Sequence, residues 1–187
     1  MDFKISFKEL AKTDSFKFQC EEDDLNDFFN NDAVPHSELL LAKTYVYYKE
    51  GTDQAIAFFT VSNDAIKSED VKSFKRKLSS AKRYPFFPAV KIGRLGRDIN
   101  FKGLSFGQKI LDDIKHSFTF NNKTGCCFIT VDAYNNPKIL DFYKENGFRF
   151  FIEEESEDRK TRAMYYNLQI YKKNFELAMR NYKIGNT

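Results

Sequence analysis

The stretch Lys91-Ile-Gly-Arg-Leu-Gly-Arg-Asp-Ile-Asn-Phe-Lys-Gly-Leu-Ser-Phe-Gly-Gln-Lys-Ile-Leu111 decides the fold. An apolar, strand-like approach over residues 89–95 enters a short polar loop with Gly103, Ser105 and Gly107. Small residues there allow several backbone N–H groups to converge at the positive end of a following helix dipole, which suits a pyrophosphate. A tight strand-to-helix turn needs small residues for structural reasons too, so this segment alone leaves both interpretations open. The helix-period apolar residues that follow are Ile110, Leu111, Ile114 and Phe118.

The length, composition and net charge are compatible with an enzyme but do not indicate a particular activity. The 187 residues, 42% of them hydrophobic, predict one domain with a real core. Thirty basic residues against 27 acidic ones give a net charge of +3, so nucleic-acid binding would need a local basic patch. Three cysteines predict no disulfide framework and fit a reducing cytoplasm. With no signal peptide and no membrane-spanning stretch, we expect a cytoplasmic protein without a membrane partner.

The periodicity of the chain predicts a mixed sheet with flanking helices. We expect Pro35 to break the first helical region before a second short helix. In a doubly wound dinucleotide fold the glycine-rich loop follows the first strand, whereas here it comes after a hairpin, so we favour an α/β (α+β) sheet. The predicted elements are a strand at 16–20, a helix from 25 and another at 37–41, a hairpin of 43–48 with 55–62, a strand at 89–95, a helix at 105–118, a strand at 126–133, a helix at 137–146, strands at 148–153 and 163–168, and a helix at 170–182.

Residues 64–88 are the least regular part and are rich in lysine and arginine. A solvated, partly helical excursion is one interpretation, and a basic surface for an anionic partner is the other. The cationic residues are Lys67, Lys72, Lys75, Arg76, Lys77, Lys82 and Arg83.

Two segments together resemble the GNAT N-acetyltransferases. The run 94–98 followed by 101–111 is similar to the acyl-CoA-binding strand, loop and helix of that family. The usual loop pattern is Gln/Arg-x-x-Gly-x-Gly/Ala; here Lys102 stands first and Ser105 replaces the first patterned glycine. The second segment matches the family's Asn-x6-Tyr-x3-Gly-Phe ending, with Asn136, Tyr143, Gly147 and Phe148.

The N-terminal part resembles a toxin-like branch of the family that acts on aminoacyl-tRNA, through 18–20, 25–26 and 44–46. The resemblance implies a GNAT-like mixed, mostly antiparallel central sheet flanked by helices. It predicts a single acetyltransferase domain over residues 1–168, followed by a C-terminal helical extension over residues 169–187.

The resemblance implies an enzyme that transfers acetyl from acetyl-CoA to a primary amine of a small molecule or protein. Transfer would be by direct attack in a ternary complex, with acetyl-CoA as cosubstrate and no metal. Residues around Gly96 would contact the pantetheine arm and the thioester, and the loop would hold the pyrophosphate. The implied cofactor-binding residues are Leu95, Gly96, Arg97, Lys102, Gly103, Leu104, Ser105, Phe106, Gly107, Gln108 and Asn136.

Tyr143 is the catalytic residue that the resemblance implies, as the general acid for the departing CoA thiolate. From helix periodicity alone it is a core aromatic. The role of Asn136 stays open between capping the helix and contacting the cofactor. The general base stays open between Asp64, Asp132 and a water chain.

Two alternatives compete with an N-acetyltransferase of small amines or proteins. A toxin-like enzyme would acetylate aminoacyl-tRNA, with tRNA as its partner; a GNAT-shaped module would bind acyl-CoA without turnover. An aromatic C-terminal segment could pack on its own domain or on a second subunit, which leaves a homodimer open. Its residues are Tyr165, Tyr166, Tyr171, Phe175 and Tyr182.

Overall fold

The computed structural model describes residues 3–71, 74, 84–103, 106–152 and 158–185, and it shows one seven-stranded sheet. The order of the strands across the sheet is β1-β2-β3-β4-β5-β7-β6. In chain order they are β1 (Ile5–Glu9), β2 (Lys43–Lys49), β3 (Ala55–Lys67), β4 (Phe86–Arg97), β5 (Phe128–Tyr134), β6 (Arg149–Phe150) and β7 (Thr161–Asn167).

Helices connect and flank these strands. The predicted mixed α/β sheet flanked by helices is therefore confirmed, and the β2–β3 hairpin, β1–β2, β5–β7 and β6–β7 are all antiparallel. The helices are α1 (Asp23–Asp27), a π-helical turn (Phe28–Asp32), α2 (Ala33–Glu38), a 3-10 turn (Ile99–Phe101), α3 (Phe106–Phe120), α4 (Pro137–Glu145) and α5 (Leu168–Gly185).

The N-terminal strand lies elsewhere than predicted. Residues 16–20 make only an isolated bridge, between Lys17 and Gln54, whereas Ile5–Glu9 pairs along β2. Phe18 and Cys20 are buried as they would be in a strand, but the backbone there bonds outside a regular ladder: the N–H of Cys20 donates to Asn26 Oδ1 at 2.7 Å, and the carbonyl of Gln19 accepts from the N–H of Ile99 at 2.8 Å. The predicted strand at residues 16–20 is therefore wrong, although Phe18 and Cys20 lie in the core.

The predicted helix break at Pro35 is also wrong, because Pro35 lies inside α2. A π-helical turn immediately precedes α2, and such a turn shifts the backbone hydrogen bonds from the α-helical pattern. The helical run instead ends at Glu38, and Leu40 then adopts a positive φ of 59°. Residues 39–41 are therefore a turn and not the predicted second helix.

The chain divides into two compact units. The first contains residues 1–62 and 92–110, and its core includes the packed rings of Phe18, Phe29 and Phe58. The second contains residues 63–91 and 111–187, with a cluster of buried side chains around Phe128. The predicted boundary between residues 168 and 169 stays a prediction.

Candidate active site

In the first unit, the end of β4 carries two glycines that face the same neighbouring strand. A Cβ on Gly93 would lie 2.9 Å from Thr60 Oγ1, and one on Gly96 would lie 2.7 Å from Phe58 Cε1. Thr60 and Phe58 are two residues apart and share a face of β3, whereas residues three apart in a regular strand face opposite sides. The two contacts therefore indicate an irregularity, such as a β-bulge, between Gly93 and Gly96. The resemblance places the pantetheine contacts at Leu95 to Arg97, beside this irregularity.

We expect Gly96→Ala to destabilise the protein by about 1–3 kcal/mol, the usual range for overpacking a filled core. The added methyl would lie 2.7 Å from Phe58 and 3.1 Å from Phe18 Cζ, and both rings are buried. Urea unfolding measures the change. Gly125→Ala is the matched control, since its Cβ would meet nothing within 4 Å. Equal stability of wild type and Gly96→Ala would contradict this packing.

The chain leaves β4 through a buried aspartate, Asp98, which is only 1% exposed. Its Oδ2 accepts hydrogen bonds from the backbone N–H of Gln19 at 2.9 Å and from Gln54 Nε2 at 3.2 Å. Its Oδ1 accepts from both the backbone and the side-chain N–H groups of Asn100, at 2.9 and 3.0 Å. Asp98 therefore fixes the position at which the glycine loop begins.

The loop then leads into the first turn of α3. Gly103 has a φ of 83°, the left-handed region that favours glycine, and Lys102 forms an ion pair with Glu21. Leu104 and Ser105 lie outside the described residues. Phe106 is buried with its ring 6.0 Å from that of Tyr47 and begins α3, where the first N–H groups of a helix have no intrahelical partner. The predicted anion-binding residues Phe106, Gly107 and Gln108 form that turn.

In the second unit, Asn136 caps α4. Its side chain accepts a hydrogen bond from the N–H of Lys138 at 3.0 Å, and Pro137 follows it in the first turn. This is the capping role that the sequence left open beside a cofactor contact. The cofactor contact stays a prediction.

The other end of α4 explains the Tyr-x3-Gly-Phe spacing. Gly147 has a φ of 83°; its N–H donates to the carbonyl of Lys144 at 2.8 Å, and the N–H of Phe148 donates to that of Tyr143 at 3.0 Å. These two bonds make a Schellman motif, in which the residue after the glycine packs on the helix residue five positions earlier. The rings of Tyr143 and Phe148 are accordingly 5.2 Å apart.

Tyr143 is buried, with 5% of its surface exposed, and desolvation raises the pKa of its phenol above the ordinary value of 10. Within the described residues its hydroxyl makes no hydrogen bond, and the ring contacts Phe142 and Phe148. The phenol is thus protonated at neutral pH, and its position in the core is as the helix period predicts. Its catalytic role stays a prediction.

The two carboxylates considered as general base have different partners. Asp132 forms an ion pair with Lys91, with 2.5 Å between Oδ2 and Nζ. Asp64 accepts a hydrogen bond from the buried Thr130 hydroxyl. No signal in the sequence indicated either contact, because both join residues that are far apart in the chain.

The C-terminal aromatic segment packs largely on its own unit. Tyr171 and Phe175 contact His116 and Phe120 of α3, whereas Tyr182 is 69% exposed. A homodimer stays a prediction. Most of the basic residues of the irregular segment, namely Lys72, Lys75, Arg76, Lys77, Lys82 and Arg83, lie outside the described residues.

In the part of the chain that the structure describes, no group of three or more His, Cys, Asp or Glu side chains could hold a metal ion. Over the same residues, no helix is long and apolar enough to cross a membrane.

Comparison with known proteins identifies the fold. No protein-family model matches the chain, and no curated protein matches its sequence. Among solved structures, AtaT complexed with acetyl-methionyl-tRNAfMet superposes with a TM-score of 0.79 at 20% identity, over 92% of this chain and 99% of that one. A tyrosine-to-phenylalanine mutant of KacT superposes with a TM-score of 0.75 at 19% identity, over 90% of this chain and 98% of that one. AtaTR bound with acetyl-CoA superposes with a TM-score of 0.71 at 19% identity, over 94% of this chain and 99% of that one. The expected fold is thereby confirmed.

Proposed function

We propose that this chain is an acetyl-CoA-dependent N-acetyltransferase that acetylates a primary amine by direct attack in a ternary complex. The observation that carries the proposal is the Asn136-x6-Tyr143-x3-Gly147-Phe148 pattern on the helix after β5, in a fold shared with an acetyl-CoA-bound protein. Fold alone does not fix an activity, so the proposal depends on these residues.

The cofactor residues of the proposal belong to the segment after the β4 irregularity. Backbone groups of Leu95, Gly96 and Arg97 would contact the pantetheine arm, and one N–H there would polarise the thioester carbonyl. The N–H groups from Lys102 to Gln108 would hold the pyrophosphate. Because Lys102 is already paired with Glu21, its ammonium would have to exchange that carboxylate for a phosphate.

Tyr143 would assist departure of the CoA thiolate. A thiol has an ordinary pKa near 8.5 and a phenol one near 10, and burial raises the pKa of Tyr143 further. Full transfer of the phenolic proton to sulfur is therefore uphill, whereas a hydrogen bond to the developing negative charge is favourable. We assign Tyr143 the role of that donor. The proton that ends on sulfur is the one that the amine nitrogen loses as the amide bond forms.

A second candidate names aminoacyl-tRNA as the acceptor, which would make the protein a toxin. The observation that favours it is the AtaT structure, whose ligand is an acetylated aminoacyl-tRNA. AtaT has also been captured with the C-terminus of the antitoxin AtaR, so a cognate antitoxin is a corresponding partner for this chain.

Two measurements test the proposal: the thermal shift caused by acetyl-CoA tests cosubstrate binding, and labelling of acceptors tests the acceptor. We expect saturating acetyl-CoA to raise the thermal midpoint by about 8–16 °C, since about 1,000 Kd of ligand adds about 4 kcal/mol and each kcal/mol shifts a domain of this size by about 2–4 °C. Labelled acetyl-CoA should then label charged tRNA or a small primary amine, with deacylated tRNA as the control. An unchanged midpoint together with no labelled acceptor would contradict the proposal, and labelling of small amines alone would contradict the tRNA candidate.

A further inference from the structure

Asp64 is a half-buried carboxylate near the end of β3 that has spare hydrogen-bonding capacity. Its Oδ2 accepts from the hydroxyl of Thr130, and its Oδ1 accepts from the N–H of Ala65 at 2.8 Å. Thr130 is 6% exposed, and its hydroxyl donates to this carboxylate, with the carbonyl oxygen of Val90 as the more distant acceptor at 3.5 Å. A carboxylate has about four lone-pair positions, so about two remain for a ligand.

Other carboxylates of the same unit are neutralised by lysines. Asp132 pairs with Lys91 at 2.5 Å, and Asp112 pairs with Lys115 at 3.2 Å. No lysine or arginine among the described residues pairs with Asp64, whose partners are neutral donors. A half-buried negative charge without a counter-charge is a favourable contact for a cation.

Asp64 and Tyr143 lie on opposite faces of β5. Thr130, which bonds Asp64, alternates with Ile129 along the strand, so the two side chains point to opposite faces. Tyr166 pairs directly with Ile129 and belongs to the same aromatic group as Tyr143. The buried phenol of Tyr143 and the carboxylate of Asp64 therefore lie on opposite faces of the sheet at β5.

We propose that Asp64 binds the ammonium group of the acceptor amine, an inference that rests on the proposed N-acetyltransferase function. A primary ammonium has three N–H donors, and hydrogen bonds from it to a carboxylate are charge-assisted. The bound ammonium first releases a proton to water, its nitrogen then attacks the thioester carbon, and the C–S bond breaks after the C–N bond has formed. Asp64 and Tyr143 would contact the two groups that exchange on this carbon, the amine and the thiolate. Thr130 is the positioning residue, since its hydroxyl holds the carboxylate of Asp64. Because Asp64 is negatively charged, it favours cationic amines over neutral acceptors.

The test is steady-state release of CoA from acetyl-CoA, with methionyl-tRNA and n-propylamine as acceptor probes. Asp64→Asn keeps the size and removes the charge, so we expect the acceptor KM to rise about ten- to a hundredfold. The kcat should stay within about threefold, and the thermal shift with acetyl-CoA should be unchanged. Thr130→Val keeps the charge and removes the donor, and should raise the same KM by a few fold. Asp53→Asn, which removes the charge of an aspartate in an exposed pair with Lys17, is the matched control and should change this KM less than about twofold.

The outcomes distinguish failure of the Asp64 role from failure of the proposed N-acetyltransferase function. An unchanged acceptor KM in Asp64→Asn, with wild-type turnover measurable, overturns the role of Asp64 and leaves the proposed function intact. An equal rise in Asp53→Asn, or a parallel loss of acetyl-CoA affinity in Asp64→Asn, also overturns it, because either result indicates a general electrostatic or structural effect. No amine-dependent CoA release from the wild type overturns the proposed function and this inference together. Asp64→Glu restores a charge, and its KM should lie between those of the wild type and Asp64→Asn.

Discussion

Tyr143→Phe is expected to lower turnover by at least about a hundredfold while acetyl-CoA binds as it does to the wild type. The substitution removes one hydroxyl, and groups that donate to a departing atom contribute about 10²–10⁴ in rate. The ring contacts with Phe142 and Phe148 persist, and the lost hydroxyl has no hydrogen bond among the described residues. Stability should therefore change by less than about 0.5 kcal/mol, which separates a chemical effect from a folding effect.

The matched control is Tyr166→Phe, which removes a hydroxyl from another buried tyrosine of the same aromatic group. It should keep nearly full turnover. Because burial raises the pKa of Tyr143, the phenol stays protonated up to at least pH 10, and a loss of activity between pH 8 and 10 would have to come from another group. Full activity of Tyr143→Phe would show that this residue is a core aromatic only.

The tyrosine pattern shows why a motif can combine structure and chemistry. The spacing from Tyr143 to Gly147 and Phe148 is what a Schellman helix end requires, and Asn136 is what an N-cap requires. Of the four matched positions, three therefore have identities that follow from capping the two ends of α4. The hydroxyl of Tyr143 is the one feature of the pattern that the fold does not use, so it alone distinguishes an enzyme from a binding module.

Local patterns predicted the elements whose partners are close in the chain. The hairpin of β2 and β3, the strand-loop-helix of β4 and α3, and helix α4 follow from alternation, glycine and capping residues. The predicted C-terminal helix is present and begins at Leu168. For these segments the hydrophobic period and the turn residues indicate the same structure, so the prediction needs no tertiary information.

Long-range polar contacts account for much of what the sequence did not indicate. Residues 16–20 have a strand-like pattern but bond to Asn26 and to Asp98, which is 79 positions from Gln19. The contact of Asp64 with Thr130 likewise spans 66 positions. The hydropathy pattern predicts which side chains are buried, but it does not indicate which partner forms a hydrogen bond with a buried polar group. Asp98 and Asp64, the carboxylates of the contacts that span 79 and 66 positions, are both residues that we propose to test.

Asp98→Ala is expected to have the largest effect on stability, a loss of at least about 3 kcal/mol. The carboxylate accepts four N–H groups in a site where it is 1% exposed, and each buried donor left without a partner costs about 1–3 kcal/mol. Urea unfolding measures the loss. Amide hydrogen exchange should locate it, with faster exchange at Gln19 and Asn100, whose N–H groups bond to the carboxylate.

The same substitution tests whether the site depends on this anchor. Asp98 holds the chain where β4 gives way to the glycine loop, so Asp98→Ala should also reduce the thermal shift caused by acetyl-CoA. Asp98→Asn keeps the volume and one acceptor oxygen, and should lose about half as much stability. Asp53→Asn breaks an exposed pair with Lys17 and should change stability by less than about 1 kcal/mol. If Asp98→Ala were as stable as Asp53→Asn, the four hydrogen bonds would contribute little, and the loop would have to be positioned by the apolar contacts of β4 instead.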